Sequence, residues 1–238
     1  GTRCLQASIE QGDSGFTRWG FDFKFPEDLF DGDDVWIRFA FKTEPTFNAQ
    51  TSIGVPSQYG SSSLKFIRIM GELQTVPGGP FSSTNAGAID YQLIGTGSKN
   101  SPYGCMGHRT NTEWQSSVHG ATLQYGPSFY NNWDYIAAKP YDCREWHMIE
   151  IHSHMGYLPL HAGQGTAFTR FWLDGVFLGE DPNSITLVPV SSDPSKNRYA
   201  SKRTRWYQTT YWNGNSPRLN TVWYDHVTVA MKTKNRDD

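Results

Sequence analysis

Cysteine is scarce: Cys4, Cys105 and Cys143 are the whole complement of the 238 residues. That excludes the small extracellular scaffolds stapled by several bridges. It permits one disulfide and leaves one thiol over, with three pairings open. Excess charge is missing as well. The net charge is −2 at pH 7, so the basic footprint of a nucleic-acid binder is absent and no nucleic-acid partner is expected. No stretch approaches the roughly 18 apolar residues of a membrane helix, so no membrane partner is expected either. Long uninterrupted helical runs are lacking too, because 23 Gly and 13 Pro are spread along the length. The chain opens at GTRC without the regions of a signal peptide, and a mature exported form, secreted and monomeric, is the expectation.

What is present is aromatic and alternating. Phe, Trp and Tyr make up 15% of residues, enough to fill a sandwich core and leave rings to stack on the apolar faces of sugars. Residues 16–25, FTRWGFDFKF, place Trp19, Phe21, Phe23 and Phe25 on one side and Arg18, Asp22 and Lys24 on the other, a half-buried antiparallel strand. PEDLFDGDD then reads as a turn, and DVWIRFAFK as a second strand with Val35, Ile37, Phe39 and Phe41 on one face. Residues 43–63 and 72–87 are rich in Gly, Pro, Ser and Thr and read as loops flanking the strand SLKFIRIMG. Further strands are expected at 88–94, 113–125, 129–137 and 145–155. AFTRFWLDG and VFLGE form a hairpin about Asp174-Gly175, a favoured two-residue turn. With about ten to twelve short strands and no repeat, the pattern predicts a single all-β domain over 1–238, a sandwich of two antiparallel sheets.

The chemistry concentrates at 205–230, RWYQTTYWNGNSPRLNTVWYDHVTVA. Its first run sets Tyr207, Thr209 and Tyr211 on one face by simple alternation, with Gln208 opposite; its second carries a single acid, Asp225, among apolar neighbours. Five basic residues precede the aromatics in KNRYASKRTR. They read either as a solvated loop or as a grip on an acidic polymer.

WHMIEIHSHMG, then TRFWLDG, then YWNG and VWYDHVTVA resemble the tail of concanavalin A-like jelly-roll polysaccharide lyases, the glucuronan and alginate lyases among them. The likeness covers roughly the C-terminal half. It implies two curved sheets, a concave face forming a groove for a polysaccharide substrate, acidic in kind, and a structural calcium on the side away from that groove. An acid near the N-terminus and one on the last strand would hold the calcium, here Glu10 and Asp225, with carbonyls from PEDLFDGDD completing the shell. The alternative for Asp225 is a strand acid satisfied by a neighbouring side chain.

A lyase acting on a uronate polymer must neutralise the C6 carboxylate, remove the C5 proton and protonate the departing O4. The resemblance nominates Arg68 in KFIRIMG, His119 in WQSSVHG and Tyr211 in RWYQTTYWNG for catalysis, with Tyr207, Gln115, Arg205 and His152 contacting substrate. A tyrosine acts as a base where cations stabilise its phenolate, and Arg68, Arg203 and Arg205 are the candidates. Departures are material: RSELR, QIH and YFKAGxY do not occur as written, and SVH stands where a Gln-containing motif is expected. Three other readings compete. A non-catalytic, lectin-like carbohydrate-binding sandwich would use the same aromatics. Glu150, His152 and His154 on one strand face, with His147 and His161 nearby, suggest a zinc or copper site lacking a third ligand of diagnostic spacing. A glycosidase needs two carboxylates at set separation, and no alternating acidic run supplies them.

Overall fold

The fold is seen in a computed structural model, which describes residues 3–13, 15–16, 20–44, 63–74, 78–82, 88–95, 103–111, 139–142, 145–156, 167–181, 187, 200–212, 216 and 219–234, the backbone alone for some strand residues among them. The strands are β1 (Leu5–Ile9), β2 (Gly15–Phe16), β3 (Phe21–Leu29), β4 (Asp34–Thr43), β5 (Ser63–Gln74), β6 (Phe81–Ser82), β7 (Ala88–Gly95), β8 (Tyr103–Asn111), β9 (Lys139–Asp142), β10 (His147–His154), β11 (Phe168–Leu173), β12 (Val176–Asp181), β13 (Ser201–Trp212) and β14 (Asn220–Lys232). One sheet runs β1-β14-β4-β10-β11-β12; the other runs β2-β13-β5-β7-β8-β9, with β3 beside β13 and β6 beside β5. Neighbours far apart in sequence pair antiparallel, as β13 with β5 and β14 with β4.

Alternation decides which side of each strand is buried. In β4, Val35, Ile37, Phe39 and Phe41 are wholly buried, while Trp36 and Arg38 look outward. β10 repeats this, with Ile149 and Ile151 inside and Glu150, His152 and His154 half-buried outside. β3 continues past Pro26 to Leu29, further than the sequence suggested. It tolerates the proline because it is hydrogen-bonded to β13 alone. The β11–β12 hairpin turns at Asp174 and Gly175 with φ of 52° and 73°, the doubly left-handed turn that matches strand twist.

Aromatic rings join the two sheets. Trp206 lies 4.9 Å from Phe23 in its own sheet and 6.4 Å from Phe39 in the other, while Tyr224 meets Phe21 edge-on at 6.0 Å and Phe39 at 5.9 Å. Ile67, Ile69, Ile149, Ile151 and Phe171 complete the cluster. The acidic turn after β3 is organised by Asp33, which is 1% exposed: its carboxylate accepts the N–H of Phe30 at 2.7 Å and of Lys234 at 2.8 Å. The backbone carbonyls of Phe30 and Asp33 are likewise engaged, by the N–H groups of Asp33 and Met155.

Candidate functional site

β13 lies inside its sheet between β5 and the short β2 and β3, and its alternation sorts two sets of side chains. Trp206 and Gln208 turn into the core beside Ile69 and Ile67, their partners on β5. Tyr207 and Arg68, opposite each other in the register, therefore occupy the other face. Asp22 on β3 stands across from Tyr207, Asp90 on β7 across from Arg68, and Arg109 on β8 across from Asp90. The register thus aligns Asp22, Tyr207, Arg68, Asp90 and Arg109 in one row over five strands. Directly opposed residues in such a row have Cα atoms about 5 Å apart. Arg68 is 4% exposed although it points away from the core, so it is enclosed within that face rather than waving above it.

Besides Arg68 and Lys24, two cations of this face, Arg205 and Lys202, have carboxylate partners. Arg205 donates to the Asp22 carboxylate at 3.2 Å and hydrogen-bonds the Tyr207 hydroxyl. Partial burial works against the charge of Arg205, but Tyr207 and Asp22 outweigh it and hold the guanidinium above its ordinary pKa. Further along, Lys202 reaches Asp28 at 2.7 Å and Glu72 at 3.3 Å, with its ammonium 4.4 Å above the Phe81 ring. Burial alone lowers the Lys202 pKa; the two carboxylates, Asp28 before Glu72, reverse this and raise it. The basic run therefore does not end in a solvated loop. β13 has begun by Ser201, Lys202 is paired, and Arg203 is wholly buried.

The nominated residues divide. Arg68, Tyr207 and Arg205 share one face. Tyr211 follows on β13, with Lys65 of β5 and Phe16 of β2 opposite, and its backbone alone is described. His119 and Gln115 lie outside the described residues. Arg203 does not serve the face, because it is 0% exposed on the core side of β13 beside Gly71. His152 belongs to the opposite sheet. Its ring stacks on Trp36 at 4.2 Å and its Nε2 lies 2.8 Å from Asp34 Oδ1, so it faces away from the molecule on the side remote from Tyr207. His154 Nδ1 shares the same Asp34 oxygen at 3.0 Å, and His147 Nδ1 pairs with Asp174 at 2.8 Å. Among the described residues no group of three His, Cys, Asp or Glu is arranged to hold a metal.

The expected calcium pair does not form. Ile9 pairs with Asn220 and Leu5 with Tyr224, so Glu10 and Asp225 sit at opposite ends of the β1–β14 ladder. At 3.3 Å per residue they are separated by about 17 Å or more, too far to share one ion. Asp225 is half-exposed and accepts the N–H of His226 at 2.7 Å. Cys4 is a free, exposed thiol, which removes both pairings that include it; Cys143 lies outside the described residues. Sequence reasoning missed Asp22, Lys65, Asp90, Gln92 and Arg109 as site positions. Lys65 sits between Tyr211 and Gln92 in the register. The alternation of Asp90 and Gln92 in AIDYQLI was readable, but which strand lies beside β5 was not.

No protein-family model matches the chain, and no curated protein does. Solved structures match at the level of fold. A variant of alginate lyase Aly36B in complex with alginate trisaccharide superposes with a TM-score of 0.54 at 10% identity, covering 98% of this chain and 82% of that one. Alginate lyase vAL-1 from Chlorella virus gives 0.52 at 13% identity over 98% and 86%. The PL-14 alginate lyase from Aplysia kurodai gives 0.53 at 10% identity over 97% and 83%. The chain has the jelly-roll fold of these polysaccharide lyases.

Proposed function

We propose that this protein is an exported polysaccharide lyase that cleaves a uronate-containing chain by β-elimination on the outer face of the β13–β5 sheet. The observation that carries the reading is the Tyr207–Arg68 pair, a phenol and an enclosed guanidinium side by side on one face, in a fold that it shares with alginate lyases. Arg68 offsets the C6 carboxylate charge, which lets the C5 proton leave. Tyr211 and His119 carry the proton steps: one accepts the C5 proton, the C4–O4 bond breaks as the C4=C5 double bond forms, and the other protonates O4. Tyr207 and Gln115 contact the sugar, and Lys65, opposite Tyr211, adds a cation at the same register level. A non-catalytic binding module would instead present a flat aromatic platform. Among the described residues Trp36, Phe168 and Trp172 are half-exposed rings of the other sheet, packed against His152, His154 and Phe177, and the exposed rings Trp146 and Phe177 also belong to that sheet's strands and turns, away from Tyr207 and Arg68.

The test is incubation with glucuronan, alginate and pectin, with ultraviolet absorbance of the conjugated double bond as the readout. Growth of absorbance on at least one polymer, lost in Arg68→Ala, is expected. Flat traces on all three, with the polymer still bound, would place the protein with the non-catalytic sandwiches.

A further inference from the structure

The side chain of Arg205 is available for two different jobs on this face. As a free cation it would grip the acidic polymer, the role its place in the basic run suggests. Its contacts describe another. Arg205 stands two residues before Tyr207 on β13, and Asp22 stands directly across from Tyr207 on β3. The guanidinium bridges both, donating to Asp22 Oδ2 at 3.2 Å and to the Tyr207 oxygen. A planar fork with several N–H groups in fixed directions suits two acceptors at once, where an ammonium on a flexible stem is a point charge. As an isolated ion pair the Arg205–Asp22 contact adds little stability, since both side chains are more than a third exposed. Its effect is geometric: it fixes where the phenol oxygen sits. On the other side of Tyr207 lies Arg68, opposite it in the register and enclosed at 4% exposure. One flank of the phenol is therefore set by an enclosed residue and the other by a surface brace.

We infer that Arg205 is a positioning residue, anchored by Asp22, that fixes the Tyr207 hydroxyl beside Arg68. The inference rests on the lyase reading for what Tyr207 meets, and it changes the role of Arg205 from substrate contact to support. Asp22, which no motif singled out, becomes the outer link of the brace.

The experiment has a spectroscopic arm and a kinetic arm. Protein labelled with ¹³Cζ-tyrosine gives one resonance per ring, and the Tyr207→Phe difference assigns the one of interest. Arg205→Met moves the Tyr207 resonance, Asp22→Asn moves it in the same direction by less, and Asp28→Asn, whose partner is Lys202, leaves it in place. An unmoved Tyr207 signal in Arg205→Met overturns the brace. In the kinetic arm, on whichever of glucuronan, alginate or pectin is turned over, Arg205→Met lowers kcat about 10- to 100-fold with KM nearly unchanged, the mark of a misplaced group. Arg205→Lys keeps the charge and fails to restore kcat. A raised KM with unchanged kcat, rescued by Arg205→Lys, overturns the inference and returns Arg205 to direct binding. If wild-type protein turns over none of the polymers, the lyase reading fails by itself, and the resonance of Tyr207 alone decides the brace.

Discussion

Gly71 on β5 has no room for a side chain, in the sheet that bears the candidate site. It pairs with Arg203 on β13, just where the β13 register shifts between Arg203 and Arg205. A Cβ built on Gly71 would come within 3.0 Å of the Arg203 Cδ and Nη1 atoms and closer still to the Lys202 carbonyl oxygen. Neither neighbour yields cheaply. The carbonyl is strand backbone, and the Arg203 guanidinium is wholly buried with no solvent to swing into. Overpacking of this kind costs about 1–3 kcal/mol. Removing a glycine from a strand interior returns about 0.5–1 kcal/mol of backbone entropy. Because the overlap is with backbone, the cost lies at the upper end, and the balance for Gly71→Ala is a net loss of about 2–2.5 kcal/mol, or about 4–10 °C in Tm for a chain of this length. Urea unfolding monitored by tryptophan fluorescence measures it, with the slope on denaturant compared so that a changed unfolded state is recognised. The same substitution pushes β13 off β5, the pairing that sets Tyr207 opposite Arg68 three residues away, so on the proposed lyase function turnover falls with stability. A variant as stable as wild type would refute the reasoning, because it would mean that β13 and β5 do not approach as closely as this register requires.

Trp206→Ala, which empties a 1%-exposed site where the two sheets meet, costs about 3–5 kcal/mol and is read by the same unfolding curves. Lys202, with its folded pKa raised, contributes stability that is fully present below the unfolded value of about 10.4 and is lost as pH rises through the folded value. Stability of wild type consequently falls more steeply than that of Lys202→Met as pH rises above about 10.4; equal slopes would show that Asp28 and Glu72 do not act on Lys202 as described. Tyr211→Phe, made on a protein with measurable lyase turnover, lowers kcat by about 100-fold or more without unfolding, since a proton-transferring group supplies about 10²–10⁴. A fall of less than threefold would remove Tyr211 from the proton steps.

The sandwich was legible in the sequence wherever one face of a strand is buried and the other wet. FDFKF, DVWIRFAFK and HMIEIHSH alternate because β3, β4 and β10 each contribute one face to the same core, and the period of two survives in the composition. Asp174-Gly175 was readable for a different reason, since two adjacent left-handed residues are costly for nearly any other pair. β8, YGCMGHRTN, carried no such mark: Gly104 and Gly107 dilute its apolar pattern, and nothing local shows that it pairs with β7. Sheet membership was invisible in the same way. His152 and Tyr207 both lie on alternating strands, yet one strand belongs to the sheet of β4 and the other to the sheet of β5, so their outward faces are on opposite sides of the molecule. No local pattern encodes that, because it is fixed by which distant strands pair.

Within the site the limit is the bulges. Counting every second residue makes Tyr207 and Tyr211 companions on one face, but the register shifts between Gln208 and Tyr211, where β13 advances three residues while β5 advances two. β5 and β7 slip in turn between Lys65 and Ile67. Each slip ends the parity that a strand carries along its length and re-aims the side chains beyond it. Arg68 and Tyr207 lie before these slips and keep their core-facing neighbours Ile67, Ile69, Trp206 and Gln208 as a reference. Lys65 and Tyr211 lie beyond them and are related to each other by cross-strand pairing instead. The face thus falls into two register blocks: one with Asp22, Arg205, Tyr207 and Arg68, and one with Tyr211, Lys65 and Gln92. A bulge between two such blocks lets the sheet bend there, so the cross-strand pairing and not the count along β13 relates Tyr211 to Lys65 and Gln92.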